Sequence, residues 1–236
     1  NDHNELFAQS NRRAYVNWLA ELGGRPLDNT ISHGGHVYQL RDPDTGQPGS
    51  QECPVFLSQI CPLIISTENE PVQLTHPSKG VLFDFAGEGT KERFFWPANA
   101  NSSKFLAMDR NENGQIDDVH ELFANTTRAP DKVMVPNGFE SLRRYDDNGD
   151  NRIDARDSVF SKLRLWGDKN GNGVGESSEL STLVEEGIVA VSLDYTSKFE
   201  RSDVYGNSIN QRSFAIKRDG QRRPVVDQWF VHTEAQ

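Results

Sequence analysis

The chain has 236 residues, of which 35% are hydrophobic and 25% charged, with a formal net charge of −10 and a mean hydropathy of −0.69. That length buries a sizeable core and permits one large domain or two small ones. The acidic balance argues against nucleic acid and anionic lipid as partners. No apolar run approaches the roughly 20 residues of a membrane helix, so membrane insertion is not expected.

Residues 5–22 read as a helix. Leu6, Phe7, Tyr15, Trp18, Leu19 and Leu22 recur at helical spacing, and Gly23-Gly24 followed by Pro26 ends the run. A docked core helix is the preferred reading, and an oligomerisation element the alternative. From Arg25 to Cys61 the chain is loop-rich, with a turn in RDPDTGQPGS. His33 and His36, in HGGH, lack a third ligand nearby and read as exposed loop residues. Cys53 and Cys61 lie close together. A disulfide formed in an oxidising compartment is preferred for them, with two buried free thiols as the alternative. Residues 1–60 are taken as an N-terminal extension and residues 61–236 as the main domain. The chain begins at Asn1 rather than Met, which fits either removal of a signal peptide or trimming.

From Cys61 to about Trp96 the pattern is short strands and turns. Phe105 to Met108 is a short strand leading into a polar loop. Asp118 to Phe123 starts a helix. Phe139, Leu142 and Tyr145 line one face of another. Ala155 to Leu165 reads as a third helix, with Val159, Phe160 and Leu163 facing inward, and Ser178 to about Glu186 as a fourth. Val189, Val191, Leu193 and Tyr195 alternate along a strand. Phe214 to Lys217 and Val225 to Val231 then pair as a hairpin across Asp219-Gly220. Trp96, Trp166 and Trp229 are expected in the core.

Three stretches carry most of the chemical information: DRNENGQIDDVHE from Asp109, DDNGDNRIDARD from Asp146 and DKNGNGVGESSE from Asp168. Each has oxygen-bearing side chains at loop positions 1, 3, 5 and 9, the spacing that wraps a chain around a hard divalent cation. Loop 1 offers Asp109, Asn111, Asn113, the Gln115 carbonyl and Asp117. His120 stands at its twelfth position and is a poor ligand for a hard ion, so Glu121 is expected to reach in its place. Loop 2 offers Asp146, Asn148, Asp150, the Arg152 carbonyl, Asp154 and Asp157, with Asn151 at the turn. Loop 3 offers Asp168, Asn170, Asn172, the Val174 carbonyl, Glu176 and Glu179. Gly175 fills its apolar anchor position, so this loop is expected to pair less firmly and bind more weakly. The expected ligand is calcium, two to three ions, with dissociation constants of roughly 10⁻⁵ to 10⁻³ M. Three ions add +6, which moves the formal charge from −10 to about −4. The fold expected is α+β: EF-hand-like calcium loops and short helices packed with antiparallel β-strands, preceded by an N-terminal helical extension.

The segments FLAMDRNENGQIDDVHELF, NGFESLRRYDDNGDNRIDARDSVFSKLRLWGDKNGNGVGESSEL and YGNSINQRSFAIKRDGQRRPVVDQWF resemble the EF-hand-like calcium-binding region of secreted bacterial RTX and haemolysin-type proteins, including FrpC-like iron-regulated proteins. The resemblance covers residues 61–232. Two acidic repeats usual upstream are altered here. STENEP, at Ser66 to Pro71, lacks the first aspartate and the turn glycine; FDFAGEG keeps Asp84 and Glu88 with Ala86 between them. Both read as lost sites that keep the turn. The resemblance implies a secreted, periplasmic or surface-located module. It also implies, for some relatives, self-processing at an Asp-Pro bond when calcium binds; the single such bond here is Asp42-Pro43.

No nucleophile–base arrangement or phosphate-cradling glycine loop is recognisable, so a non-enzymatic module is favoured over an enzyme. In that module calcium binding becomes folding energy. A calcium-dependent adhesion or partner-binding protein, with a cell-surface or protein partner, is one alternative. Calcium-triggered self-processing is the other.

Overall fold

A computed structural model describes residues 30–33, 36–39, 60–127, 135–201, 203, 205 and 207–230. The helix expected over residues 5–22, the Asp42-Pro43 bond and Cys53 lie outside them. The chain divides into two compact units, Asn1–Phe56 and Leu57–Gln236. In the first, β1 (Thr30–His33) and β2 (His36–Gln39) form an antiparallel hairpin. His33 and His36 are its closing pair, not members of a long loop.

The second unit is built on a nine-stranded antiparallel sheet, not on the α+β arrangement expected. Its strands are β3 (Leu63–Ser66), β6 (Ser103–Ala107), β7 (Arg152–Asp154), β8 (Arg164–Trp166), β9 (Leu180–Thr182), β10 (Ile188–Ser192), β11 (Thr196–Arg201), β12 (Ser208–Lys217) and β13 (Arg222–Trp229). They run in the order β7-β10-β12-β13-β3-β6-β8-β9. β11 pairs with the first part of β12, and β10 with its last part. A separate hairpin joins β4 (Val81–Phe83) to β5 (Glu92–Phe94).

The sheet is buried on both faces, which accounts for the continuous apolar runs in its central strands. Successive side chains on a strand point to opposite faces. Ile64, Phe105, Trp166 and Val226 lie in register on one face, with Phe83, Phe85, Phe94 and Trp96 packed onto them. Leu63, Ile65, Leu106, Leu165 and Val225 lie on the other, with Phe123, Phe139, Leu142, Phe160 and Leu163. Trp96 and Trp166 are core residues, whereas Trp229 is only partly buried.

Three of the four helices expected after residue 60 are absent. Val119–Glu121 is a single 3₁₀ turn capped by Asp118. Residues 155–162 are successive turns that deliver Leu163 to β8. Residues 178–187 contain β9 and a turn. Each run is too short to hold a helix alone, and each is flanked by loops that set its ends. An apolar run of that length fits a strand as well as a helix. Pairing decides the matter: Trp166 lies opposite Phe105 and Leu180 opposite Trp166. Val159, Phe160 and Leu163 do face inward, without a helix to carry them. Among the described residues the one α-helix is α1 (Gly138–Arg143), where the Asn137 side chain accepts the Glu140 N–H at 3.0 Å. At the C-terminal end β12 and β13 form the hairpin expected across Asp219-Gly220.

Candidate metal centre

The three polar loops hang from the sheet. Loop 1 follows β6, loop 2 runs into β7, and loop 3 joins β8 to β9. They share one internal geometry. In loop 1 the Asp109 carboxylate accepts the N–H groups of Asn113 at 3.2 Å and Gly114 at 2.8 Å. In loop 2 Asp146 accepts those of Gly149, Asp150 and Asn151 at 2.9, 3.3 and 2.9 Å. In loop 3 Asp168 accepts those of Gly171, Asn172 and Gly173 at 2.7, 3.2 and 3.0 Å. The sixth residue has positive φ each time: 82° at Gly114, 62° at Asn151 and 69° at Gly173. Asparagine tolerates this region better than most residues, which lets it stand for glycine in loop 2.

The side chains at the third and fifth positions orient one another through the backbone. Asn111 accepts the Asn113 N–H at 2.9 Å, and Asn113 accepts the Gln115 N–H at 2.8 Å. Asn148 and Asp150 accept from Asp150 and Arg152 at 3.0 and 3.1 Å. Asn170 and Asn172 accept from Asn172 and Val174 at 2.9 and 2.8 Å.

A buried carboxylate closes each loop from behind. Asp157 accepts the N–H groups of Asp147 and Asp154, both at 2.9 Å. Glu179 accepts those of Lys169 and Asn170 at 2.8 and 3.2 Å. In loop 1 this part is taken by Glu121, which accepts the Arg110 and Asp117 N–H groups at 3.2 and 3.0 Å. The His120 ring turns the other way, against Gly87: a Cβ built on that glycine lies 2.2 Å from His120 Nε2.

The ninth positions complete the donor sets. Asp117 accepts the Asn113 side-chain amide at 3.0 Å. Glu176 accepts those of Asn172 and Asn170 at 2.7 and 3.3 Å. Asp154 accepts from Arg156, whose guanidinium also reaches Asp150. A cation entering loop 2 therefore competes with a tethered one.

The donor sets fit a hard cation. Among the described residues no three His, Cys, Asp or Glu side chains converge as a ready ligand cluster. Each loop instead mixes carboxylates with asparagine amides and one backbone carbonyl, the mixture calcium takes. Loop 3 holds a buried acidic pair. Glu179 is 6% exposed, and its carboxyl meets that of Glu176. Burial raises its carboxyl above the ordinary range, and the neighbouring Glu176 carboxylate raises it further. Glu176 is itself held low, chiefly by the Asn172 amide. Two acidic side chains thus meet at a buried position, where holding both as carboxylates costs free energy.

Sequence reasoning missed two features. The first is the partnership of Ile116 and Gly175. The second is a buried acid beside a thiol. Cys61 is a free, fully buried cysteine, so the disulfide expected for it is not formed; burial, then the nearby Asp227, pushes its thiol up. Asp227 accepts the Gly138 N–H at 3.2 Å and the Trp229 Nε1–H at 3.1 Å. Burial raises it to about 7. The turn at Asp84 is kept as expected: its carboxylate accepts from Gly87, Glu88 and Gly89 at 2.7, 3.3 and 2.6 Å.

Burial also raises Glu121 to about 7, against the pull of its Asp117 and Arg110 N–H bonds. Both Glu121 and Asp227 hold protons more tightly folded than unfolded. Their contribution to stability is fully present below their unfolded values and is lost as pH rises through about 7. Thermal melts of metal-free protein should therefore fall in midpoint from about pH 5 to about pH 8. Asp227→Asn should flatten that fall, and a midpoint that climbs across the range would show the sign to be wrong.

The class defined by this geometry is an antiparallel β-domain carrying three polar loops of one shared internal geometry. The SPM domain family matches residues 63–231, and the chain belongs to that family. It is also 36% identical over 148 residues to the iron-regulated protein FrpA of Neisseria meningitidis serogroup C. The alignment covers 63% of this chain and 13% of FrpA, so the chain spans a small part of that relative.

Proposed function

We propose that residues 57–236 form a calcium-binding module of a secreted or surface-located bacterial protein, in which up to three ions tie the loops to the sheet. The observation that carries this reading is the buried Glu179 carboxyl, set against Glu176 inside a loop whose backbone is already wrapped. The same wrapping in loops 1 and 2 extends it to three sites. Kinship with FrpA and the resemblance to RTX-type proteins support the location. The ions act by neutralising carboxylates that otherwise repel, so binding energy adds to folding energy. Calorimetric titration with Ca²⁺ tests this. Glu179→Gln removes the closing carboxylate of loop 3 and should weaken that site at least about ten-fold, as loss of a charged ligand does. Absence of binding to the unaltered chain at millimolar calcium would overturn the proposal.

A second reading is calcium-triggered self-processing. It is favoured by the one Asp-Pro bond, Asp42-Pro43, standing ahead of the family-matched segment, together with the activity that the RTX resemblance implies. Calcium addition would then split the chain into pieces of 42 and 194 residues, visible by mass spectrometry; an intact chain would remove this reading and leave the first standing.

A further inference from the structure

The polar loops leave one charged surface of the second unit unused. The β12–β13 hairpin carries Arg212, Lys217, Arg218, Arg222 and Arg223 in a chain whose net charge is −10. Its two acids are Asp219, at the turn, and Asp227, which is fully buried. A local positive field on an acidic protein selects anions.

Strand pairing opens a cavity under that field. β13 pairs with β3 only over Val225–Asp227, so Arg222, Arg223 and Pro224 run past the paired stretch. Arg212, Phe214 and Ile216 share one face of β12, and their partners Val226, Pro224 and Arg222 lie on the same face of β13. A cavity of about 240 Å³ lies there, and Arg212, Phe214, Arg222, Pro224, Val226 and Asn69 are among the residues that line it. Glu68 and Glu70, on either side of Asn69, are exposed and do not line it.

The Arg222 guanidinium carbon lies 4.0 Å from the centroid of the Phe214 ring. The ring takes one face of the guanidinium and leaves its edge of N–H groups for a ligand. Among the described residues no acceptor engages that edge. A planar guanidinium stacked on an aromatic ring offers a fork that matches the two oxygens of a carboxylate. Arg212 adds a second positive charge at the same cavity. Phe214, Pro224 and Val226 beside the fork suit hydrocarbon, and a fully hydrated inorganic ion gains nothing from them. The volume is below the roughly 300–1,000 Å³ of drug-sized sites, which limits the ligand to about one ring. We propose that this cavity binds a small organic carboxylate, its carboxylate on Arg222 and its single ring against Phe214 and Pro224. The site stands on the hairpin alone and does not depend on the calcium-binding reading.

Benzoate is the probe, titrated into the full chain at fixed ionic strength while amide resonances are followed. The amides of Phe214 and Arg222 should shift and saturate with a dissociation constant on the order of 1 mM, and Gly173, in loop 3, should stay where it was. Arg222→Gln should weaken binding at least about ten-fold, as loss of a charge-assisted pair does. Arg222→Lys, which keeps the charge and loses the fork, should also weaken it. Benzamide, of the same shape without the charge, should not bind measurably. Benzoate affinity unchanged by Arg222→Gln, or benzamide binding as tightly as benzoate, would overturn the proposal. Inorganic phosphate binding as tightly as benzoate would overturn the choice of an organic acid. No saturable shift in the unaltered chain up to about 20 mM benzoate would remove the site altogether and leave the calcium reading standing.

Discussion

A melting curve of this protein in about 5 mM Ca²⁺ should lie roughly 10–20 °C above one in chelator. A site holding its ion at about one hundred times its dissociation constant adds about 2.7 kcal/mol. Sites in the weaker part of the range expected for amide-rich loops, about 10⁻⁵ to 10⁻³ M, add less. Three such sites together contribute several kcal/mol, and each kcal/mol moves the midpoint of a domain this size by about 2–4 °C. The shift has a structural origin in the closing carboxylates. Glu121, Asp157 and Glu179 are buried, and each already spends hydrogen-bonding capacity on backbone N–H groups of its own loop. Without an ion they carry the cost of burial; with one, that cost is offset. Magnesium at the same concentration should shift the curve less, because it resists losing its water and asks for a tighter octahedron than these loops offer. Coincident curves in calcium and chelator would show that the wrapped loops are turns and nothing more.

Trp166→Ala should destabilise the second unit by about 3–5 kcal/mol, the usual cost of removing a large buried aromatic side chain. Trp166 is fully buried and sits at the centre of an aromatic group. Its ring centroid lies 5.6 Å from Phe83, 5.6 Å from Trp96 and 5.4 Å from Phe105. No rearrangement of those rigid neighbours refills the space, because Phe83 and Phe105 are held by their strands and Trp96 by backbone hydrogen bonds with Thr75. The residue also stands two positions before Asp168 and touches the Gly175 side of loop 3. Loss of the indole therefore loosens the floor of loop 3 as well as the core. Chemical denaturation in chelator measures the first effect, and the Ca²⁺ midpoint at loop 3 measures the second. A loss below about 1 kcal/mol would mean that the packing is not as close as the ring distances state.

The polar loops were legible because their order is local. Asp109, Asp146 and Asp168 each organise a turn with residues three to five positions onward, and a spacing rule captures that. That the Glu121 carboxylate turns into loop 1 was legible for the same reason, since its partners Arg110 and Asp117 lie in that loop; whether it meets an ion is for the titration to decide. The sheet was not. Residues 155–165 and 178–186 carry apolar side chains at intervals that suit a helix, and inward-facing Val159, Phe160 and Leu163 satisfy that pattern without one. What makes β8 a strand is the row of partners at Phe105, Leu106 and Ala107, far away in sequence, and β9 then pairs with β8. The Cys61–Asp227 contact was hidden for a like reason, because its two halves lie far apart in sequence and meet only where β3 pairs with β13. The partner of Gly175 was not legible because it lies in another loop. The role of the glycine becomes visible only when Ile116 and Trp166 stand against it.

Counting bound metal is the most direct check. Equilibrium dialysis of the full chain against about 1 mM Ca²⁺, followed by elemental analysis, should find up to three ions per chain, with Asp146→Asn and Asp168→Asn each lowering the number. A chain that retains no calcium above the buffer background would contradict the account.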